Sequence, residues 1–326
     1  NAKQPSEEDE YDPSLELEAP PKAKFGDLYA LGEHKVLCAD STDKNAYKRV
    51  LGLERASMMF TDPPYNVNYE GSMNTRSKNK RKGIKNDKMG REEFGEFLQK
   101  FCGASLDFVD GVCYICMSSS EIDSLRKAFE DAGGHWQSFI IWVKNTFTLS
   151  RSDYQNTYEP ILYGWSKRIK HEFLEERDKA NCWEELSAVK TIKDGEFTVI
   201  KFQGFEVFVR GNVEYGYVRR RAQKVDVWRY NKPTRSVEHP TMKPIELVEE
   251  AIKNSSKIDD VRLDPFGGSG TTVIACENLA RKARIIELDP KYIDVIIDRF
   301  TRLTGKDAVR LSDGKKWSEI CLQGDI

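Results

Sequence analysis

The 326-residue chain holds no uninterrupted apolar run approaching the roughly 20 residues that a membrane-spanning helix needs, so no membrane partner is expected. No secretory signal is visible in it. Charge of either sign is not in excess: 51 basic against 53 acidic residues give a formal net charge of −2. A nucleic-acid surface would therefore have to come from local clustering rather than from overall charge. Cysteine is sparse and odd in number, at seven, and lies mostly in apolar surroundings, which points to reduced thiols and a cytosolic setting. Cys113 and Cys116 form a C-x-x-C, but no second pair lies nearby. On the strand-like run Gly111 to Met117, positions three apart face opposite sides. Buried thiols are expected there, and no metal. What remains is 39% hydrophobic and 32% charged, a composition that suits a soluble globular protein of one large or two ordinary domains.

The organising stretch is Met58-Met59-Phe60-Thr61-Asp62-Pro63-Pro64-Tyr65. Its apolar half reads as a buried strand, and ligands of open α/β sheets sit beyond the carboxyl ends of such strands. Two prolines cannot extend a ladder and set a stiff, extended turn. That turn presents the Asp62 carboxylate, the carbonyls of Pro63 and Pro64 and the Tyr65 ring. Together they can grip a planar molecule that carries an amino group, the oxygens accepting its N–H hydrogens and the ring stacking on it.

Along the chain, residues 1–24 are acidic and proline-bearing, as in a disordered linker. With no initiator methionine, the chain is expected to follow a fused upstream domain. Phe25 to Leu37 reads as two short strands, and Cys38-Ala39-Asp40-Ser41 follows. Asp40 suits either an N-cap for a helix beginning near Lys44 or a ligand contact at a strand end. Residues Asn66 to Arg91 are polar and basic, with Lys78, Lys80, Arg81 and Lys82 at their centre; leaving directly from the proline turn, they suit a clamp on the DNA backbone. Strands then alternate with helices: a helix over Glu92–Phe108, strands over Val112–Met117, Trp136–Val143 and Tyr158–Trp165, and a helix over Ser120–Ala132. This alternation indicates a doubly wound α/β sheet.

The stretch 168–236 changes character. Lys170 to Ser187 is charged and helix-compatible, Phe197–Phe202 and Phe205–Val209 flank Gln203-Gly204 as a hairpin, and Arg219, Arg220 and Arg221 follow two tyrosines. A small β-containing target-recognition insert that contacts DNA is expected. Beyond it lie a helix over Ile245–Asn254, the strand Val261–Leu263, and Asp264-Pro265-Phe266-Gly267-Gly268-Ser269-Gly270-Thr271. The strand Ala283–Ile286 ends at Glu287, and Pro290 opens a helix. A strand, a glycine turn and a helix N-terminus suit a nucleotide-like ligand. A P-loop needs Lys-Ser/Thr after the last glycine, and a dinucleotide fingerprint needs a third spaced glycine; neither is present. Glu287 is placed to take both hydroxyls of a ribose. The tail, 305–326, carries no signal.

Asp62-Pro63-Pro64-Tyr65 resembles the catalytic motif of the DNA amino-methyltransferases, which methylate exocyclic nitrogens of adenine or cytosine with S-adenosylmethionine. Phe266-Gly267-Gly268-Ser269-Gly270 is similar to that family's Phe-x-Gly-x-Gly cofactor motif. His239-Pro240-Thr241-Met242-Lys243-Pro244 resembles the segment that flanks the cofactor's methionine end. The matches cover most of Phe25 to Leu303, in the β-type order of catalytic motif, recognition region and cofactor motif. The resemblance implies a doubly wound, mostly parallel sheet of seven strands with a catalytic half over 25–167 and a cofactor half over 237–304. Asp62's strand and Leu263's strand should then lie side by side. It also implies cofactor contacts from Ala39, Asp40 (to the adenine), Asp62, His239, Thr241, Lys243, Asp264, Phe266, Gly268, Ser269, Gly270, Thr271 and Glu287.

The activity implied is methylation of adenine N6 in duplex DNA at a short site. Asp62 and Pro63 would accept the amine hydrogens, and Tyr65 would stack on the flipped base. Adenine is favoured over cytosine N4 because Asp opens the tetrapeptide, where a Ser more often accompanies cytosine in the resembling family. The other classes to weigh are an inactive DNA-binding module and an RNA or protein methyltransferase. A homodimer and a cognate restriction nuclease are the partners the resemblance suggests, in the cytoplasm of a bacterial or phage-infected cell.

Overall fold

The computed structural model describes residues 19–66, 88–148, 156–170, 190–194, 197–202, 205–210, 227–230 and 242–323. In chain order these form β1 (Leu28–Leu31), β2 (His34–Cys38), α1 (Lys44–Leu51), β3 (Ala56–Thr61), α2 (Arg91–Leu106), β4 (Val109–Cys116), α3 (Ile122–Asp131), β5 (Gly134–Thr148) and β6 (Asn156–Ser166). There follow β7 (Lys190–Asp194), β8 (Phe197–Phe202), β9 (Phe205–Arg210), β10 (Val227–Arg229), α4 (Ile245–Ser255), β11 (Val261–Asp264), α5 (Thr271–Asn278), β12 (Lys282–Glu287), α6 (Pro290–Thr304), β13 (Val309–Arg310) and α7 (Trp317–Gln323).

One sheet runs β10-β5-β6-β4-β3-β11-β12-β2-β1-β13. Its centre, β4-β3-β11-β12-β2, is parallel throughout, and β6 and β1 turn antiparallel on either side. Central parallel strands are covered on both faces, which is why Ala56–Thr61 is almost continuously apolar. Met58 and Phe60 face a core with Leu247 and Val248 of α4, Ile274 of α5 and Ile296 of α6. Met59 faces the opposite core, with Tyr47 of α1, Leu98 and Phe101 of α2, and Phe129 of α3. β3 leads through α2 to β4 on one side, and β11 leads through α5 to β12 on the other. The chain therefore reverses winding between β3 and β11, which opens a crevice at their carboxyl ends.

Four expectations are corrected. The sheet has ten strands, not seven. The added edge strands are too short to show a periodicity of their own: β13 has two residues and β10 has three. β10 also lies inside the expected insert yet pairs with β5, Val227 opposite Ile141. The expected tail is part of the fold, since Trp317 is buried, meets the Tyr29 ring edge-on at 5.7 Å and donates from Nε1 to Asp298 at 2.7 Å. The end of the expected linker is also tied down: Lys22 N and Ala23 N donate to the Asp294 carboxylate at 2.7 and 2.9 Å. Residues 1–18 lie outside the described residues.

The hairpin over β8 and β9 is present, and β7 extends it to a three-stranded antiparallel sheet. The helix expected over Lys170–Ser187 falls almost wholly outside the described residues. Cys113 and Cys116 are buried and free. Among the described residues no helix is long and apolar enough to cross a membrane.

Candidate active site

β3 pairs with β11 through Met58 opposite Arg262 and Met59 opposite Leu263, so the two expected strands do lie side by side and end level with each other. Asp264 ends β11 and is nearly inaccessible. Its Oδ1 accepts from Thr61 Oγ1 at 2.7 Å and from Phe266 N at 3.1 Å, and its Oδ2 accepts from Thr272 Oγ1 at 2.6 Å. Burial pushes this carboxyl up to about 7 against those three donors. Asp264 thus clasps the end of β3 to the glycine turn.

The turn needs its glycines for different reasons. Gly268 and Gly270 have φ of 49° and 82°, the left-handed region that disfavours other residues. A Cβ on Gly267 would lie 2.4 Å from Ile285 Cγ2, whereas one on Gly268 would meet nothing within 4 Å. The backbone at Gly268 therefore borders open space. Phe266 is held from behind by Phe101, edge-on at 4.9 Å, and by Phe97. Arg299 Nη1 donates to Ser269 O at 2.9 Å and to Thr271 Oγ1 at 3.3 Å.

The neighbouring strand ends close this cradle. Glu287 Oε2 accepts from Gly268 N and its Oε1 from Asp289 N, both at 2.8 Å. Burial pushes the Glu287 carboxyl up to about 7. β12 pairs with β2, Glu287 opposite Cys38, and Ala39 N donates to Glu287 O at 2.9 Å. Asp40 follows directly. Its Oδ1 accepts from Thr42 N and Thr42 Oγ1, both at 2.8 Å. The N-cap of α1 is Asp43 instead, which accepts from Asn45 N. The capping alternative for Asp40 is thereby removed.

Asp62, Pro63, Pro64 and Tyr65 leave β3 on the other side of the glycine turn. Asp62 Oδ1 accepts from Tyr65 OH at 2.7 Å, and Lys243 Nζ donates to Asp62 Oδ2 at 2.6 Å and to Tyr65 OH at 3.0 Å. Lys243, expected at the cofactor's methionine end, thus lies on the Asp62 carboxylate; its own carbonyl is 3.5 Å from Thr271 Oγ1, at the start of α5. Two further residues, missed in the sequence, complete the group. Glu159 on β6 lies 3.3 Å from Lys243 Nζ, and its Oε2 is 3.0 Å from Tyr65 OH. Lys144 on β5 pairs with its other oxygen. Their signals were a carboxylate inside the apolar strand Tyr158–Trp165 and a lysine closing the apolar run Ile140–Val143.

Burial pushes the Asp62 carboxyl up, with Lys243 opposing. Burial would also raise Glu159, but Lys243 and Lys144 outweigh it and hold that carboxyl at about 2. Burial would strip Lys243 of its proton, yet Asp62 and Glu159 keep the ammonium charged. Burial keeps the Tyr65 phenol neutral. His239 and Thr241, and the basic residues Lys78, Lys80, Arg81, Lys82, Arg219, Arg220 and Arg221, lie outside the described residues.

A glycine cradle beside Glu287, on a doubly wound sheet and next to a proline-set acidic turn, defines an S-adenosylmethionine-dependent methyltransferase. The family model for DNA methylase, covering N6 and N4 methyltransferases, matches residues 56–298. The chain belongs to this family, and its activity is S-adenosylmethionine-dependent methylation of DNA. It is 25% identical over 289 residues to the Type II methyltransferase M.HpaI of Haemophilus parainfluenzae, covering 85% of this chain and 77% of that one. It is 27% identical over 253 residues to M2.DpnII of Streptococcus pneumoniae, covering 74% and 81%. The fold is shared with M1.HpyAVI, solved as its SAM complex (TM-score 0.51, 20% identity, 81% of this chain and 97% of that chain). It is shared too with the cytosine-N4-specific PvuII DNA methyltransferase (TM-score 0.51, 13% identity, 86% and 88%).

Proposed function

We propose that this chain methylates N6 of adenine in duplex DNA at a specific short sequence. The observation that carries the reading is Asp62 and Pro63 at the end of β3, one strand from the glycine turn, with Lys243 holding the carboxylate. The cradle suits S-adenosylmethionine: open space at Gly268 for a closely approaching ligand, and a carboxylate, Glu287, beside it for ribose hydroxyls. Ala39, Asp40, Phe266, Gly268, Ser269, Gly270, Thr271 and Glu287 would hold it, with His239 and Thr241 from the segment before α4. Asp264 and Lys243 would act from behind, by fixing the turn and Asp62. When bound, the cofactor supplies an electrophilic methyl group.

The protein's part is to make a poor nucleophile competent. An aromatic amine delocalises its lone pair into the ring. Hydrogen bonds from its two hydrogens to the Asp62 carboxylate and the Pro63 carbonyl localise that pair on nitrogen and aim it. The nitrogen would gain the methyl carbon and lose one proton, which passes to solvent water. The target base must leave the duplex stack, and the partly exposed Tyr65 ring offers it a face, steadied by the hydroxyl's contacts with Asp62 and Glu159. Basic residues of 66–91 and the arginines 219–221 would hold the phosphates. The Type II relatives are the ground for expecting a cognate restriction nuclease and a site of action in the cytoplasm of a bacterial cell.

Mass spectrometry of nucleosides from methylated duplex DNA tests the base: N6-methyladenine is expected. N4-methylcytosine is the second outcome to consider, because the fold is shared with a cytosine-N4 enzyme and either amine could meet the same two acceptors. Labelled-cofactor assays on duplex DNA, single-stranded DNA and RNA test the substrate, and transfer to RNA alone would overturn the proposal.

A further inference from the structure

We propose that Glu159 and Lys144 form an ionic frame that holds Lys243 against Asp62, so that Lys243 keeps that carboxylate aimed. This deepens the reading of Asp62 as the acceptor of the target amine and rests on it.

Glu159 and Lys144 belong to the paired strands β6 and β5, where Glu159 lies opposite Trp142 and Tyr158 opposite Val143. Lys243 comes from the segment before α4, and Asp62 and Tyr65 from the turn after β3. Glu159 spans the assembly: one oxygen pairs with Lys144, and the other meets Lys243 Nζ at 3.3 Å and Tyr65 OH at 3.0 Å. Lys243 then reaches Asp62 at 2.6 Å. Both lysine side chains are 8% exposed, Glu159 is 16% exposed and Asp62 is 24% exposed, so solvent screens little of the interaction. Two carboxylates balance two ammonium groups only when Asp62 is ionised. Protonating Asp62 would leave one uncompensated buried cation, and such charges are costly.

The groups facing Asp62 are Lys243, Glu159 on β6 with Lys144 behind it on β5, Tyr65 in its own turn, Cys116 on β4 and Asp264 on β11. Burial keeps the Cys116 thiol neutral. The Tyr65 hydroxyl has one hydrogen for two carboxylates, so it cannot replace Lys243. Glu159 and Lys144 are positioning residues: they act on the amine through Lys243 and Asp62.

The test is the pH profile of single-turnover DNA methylation in the wild type, Glu159→Gln and Lys144→Met, with cofactor binding measured by calorimetry in each. Glu159→Gln removes a negative charge near Asp62, so the acid limb moves to lower pH. Its plateau falls by up to ~100-fold as Lys243 loses its anchor. Lys144→Met leaves Glu159 less compensated, so the acid limb moves to higher pH. Opposite movements with cofactor binding retained support the frame. Uniformly slower rates with unmoved limbs would overturn it, as would loss of cofactor binding in both variants, which would make the group a fold staple. If only one variant binds cofactor, the direction of its limb decides. A wild type that methylates no DNA would instead remove the functional reading itself.

Discussion

Thr61 Oγ1 donates a 2.7 Å hydrogen bond to Asp264 Oδ1, joining residues 203 positions apart in the chain. The same Asp264 accepts from the first turn of α5 and from the backbone after β11. The relative placement of the acidic turn and the glycine turn therefore passes through one buried carboxylate.

That carboxylate gives stability a pH dependence. Burial raises it from 3.8 to about 7, while in the unfolded chain it titrates near ~4. Between those values the folded state binds more protons, so its contribution is full below about pH 4 and is lost as pH rises through 7. Asp264→Asn keeps an acceptor for Thr61 and offers an amide hydrogen to Thr272. Urea denaturation from pH 5 to 8 should show the wild type losing stability relative to this variant. Parallel curves would remove Asp264 as the titrating group.

Neighbouring glycines should fail in different ways. Gly267→Ala drives a Cβ to 2.4 Å from Ile285 Cγ2, an overpacking expected to cost about 1–3 kcal/mol in denaturant midpoint. Gly268→Ala meets open space but carries a φ of 49°, so about 1–2 kcal/mol of backbone strain is expected. Its methyl projects into the cradle, so cofactor affinity measured by calorimetry should fall further than in Gly267→Ala.

Asp62→Ala should lower the single-turnover methylation rate by ~10²–10³-fold, the cost of removing one aimed polar group from a transition state. Cofactor affinity should stay near the wild-type value, because the cradle lies across β11. Near-normal turnover would refute the role given to Asp62.

Trp317 should matter to stability although it stands far along the chain from either motif. It is 3% exposed, and its indole is held by Tyr29 and Asp298. Trp317→Ala is expected to cost about 3–5 kcal/mol by chemical denaturation.

Replacing Lys78, Lys80, Arg81 and Lys82 with Ser should weaken duplex binding and flatten its salt dependence, by about one unit of logarithmic slope for each phosphate no longer neutralised. An unchanged slope would assign phosphate binding to other residues.

The sequence by itself determined the local units. Apolar runs that stop at polar turns marked β3, β11 and β12; Pro290 marked the start of α6; Gly268 and Gly270 marked a backbone that other residues resist. These features rest on contacts or dihedral preferences within a few residues, so they are written in the order of the chain. The neighbouring of β3 and β11 was legible through a family resemblance, not through any local pattern. Tertiary structure alone decided the partners of the charged residues. Lys243 pairs with Asp62, Glu159 and Lys144 complete that group from another sheet region, and Asp264 turns inward as a clasp. It also decided that Val227–Arg229, Val309–Arg310 and Ala23 belong to the body of the fold. The physical reason is common to all of these: a side chain's charge and a short strand's pairing take their meaning from groups tens to hundreds of residues away, which only the packed sheet brings within hydrogen-bond distance.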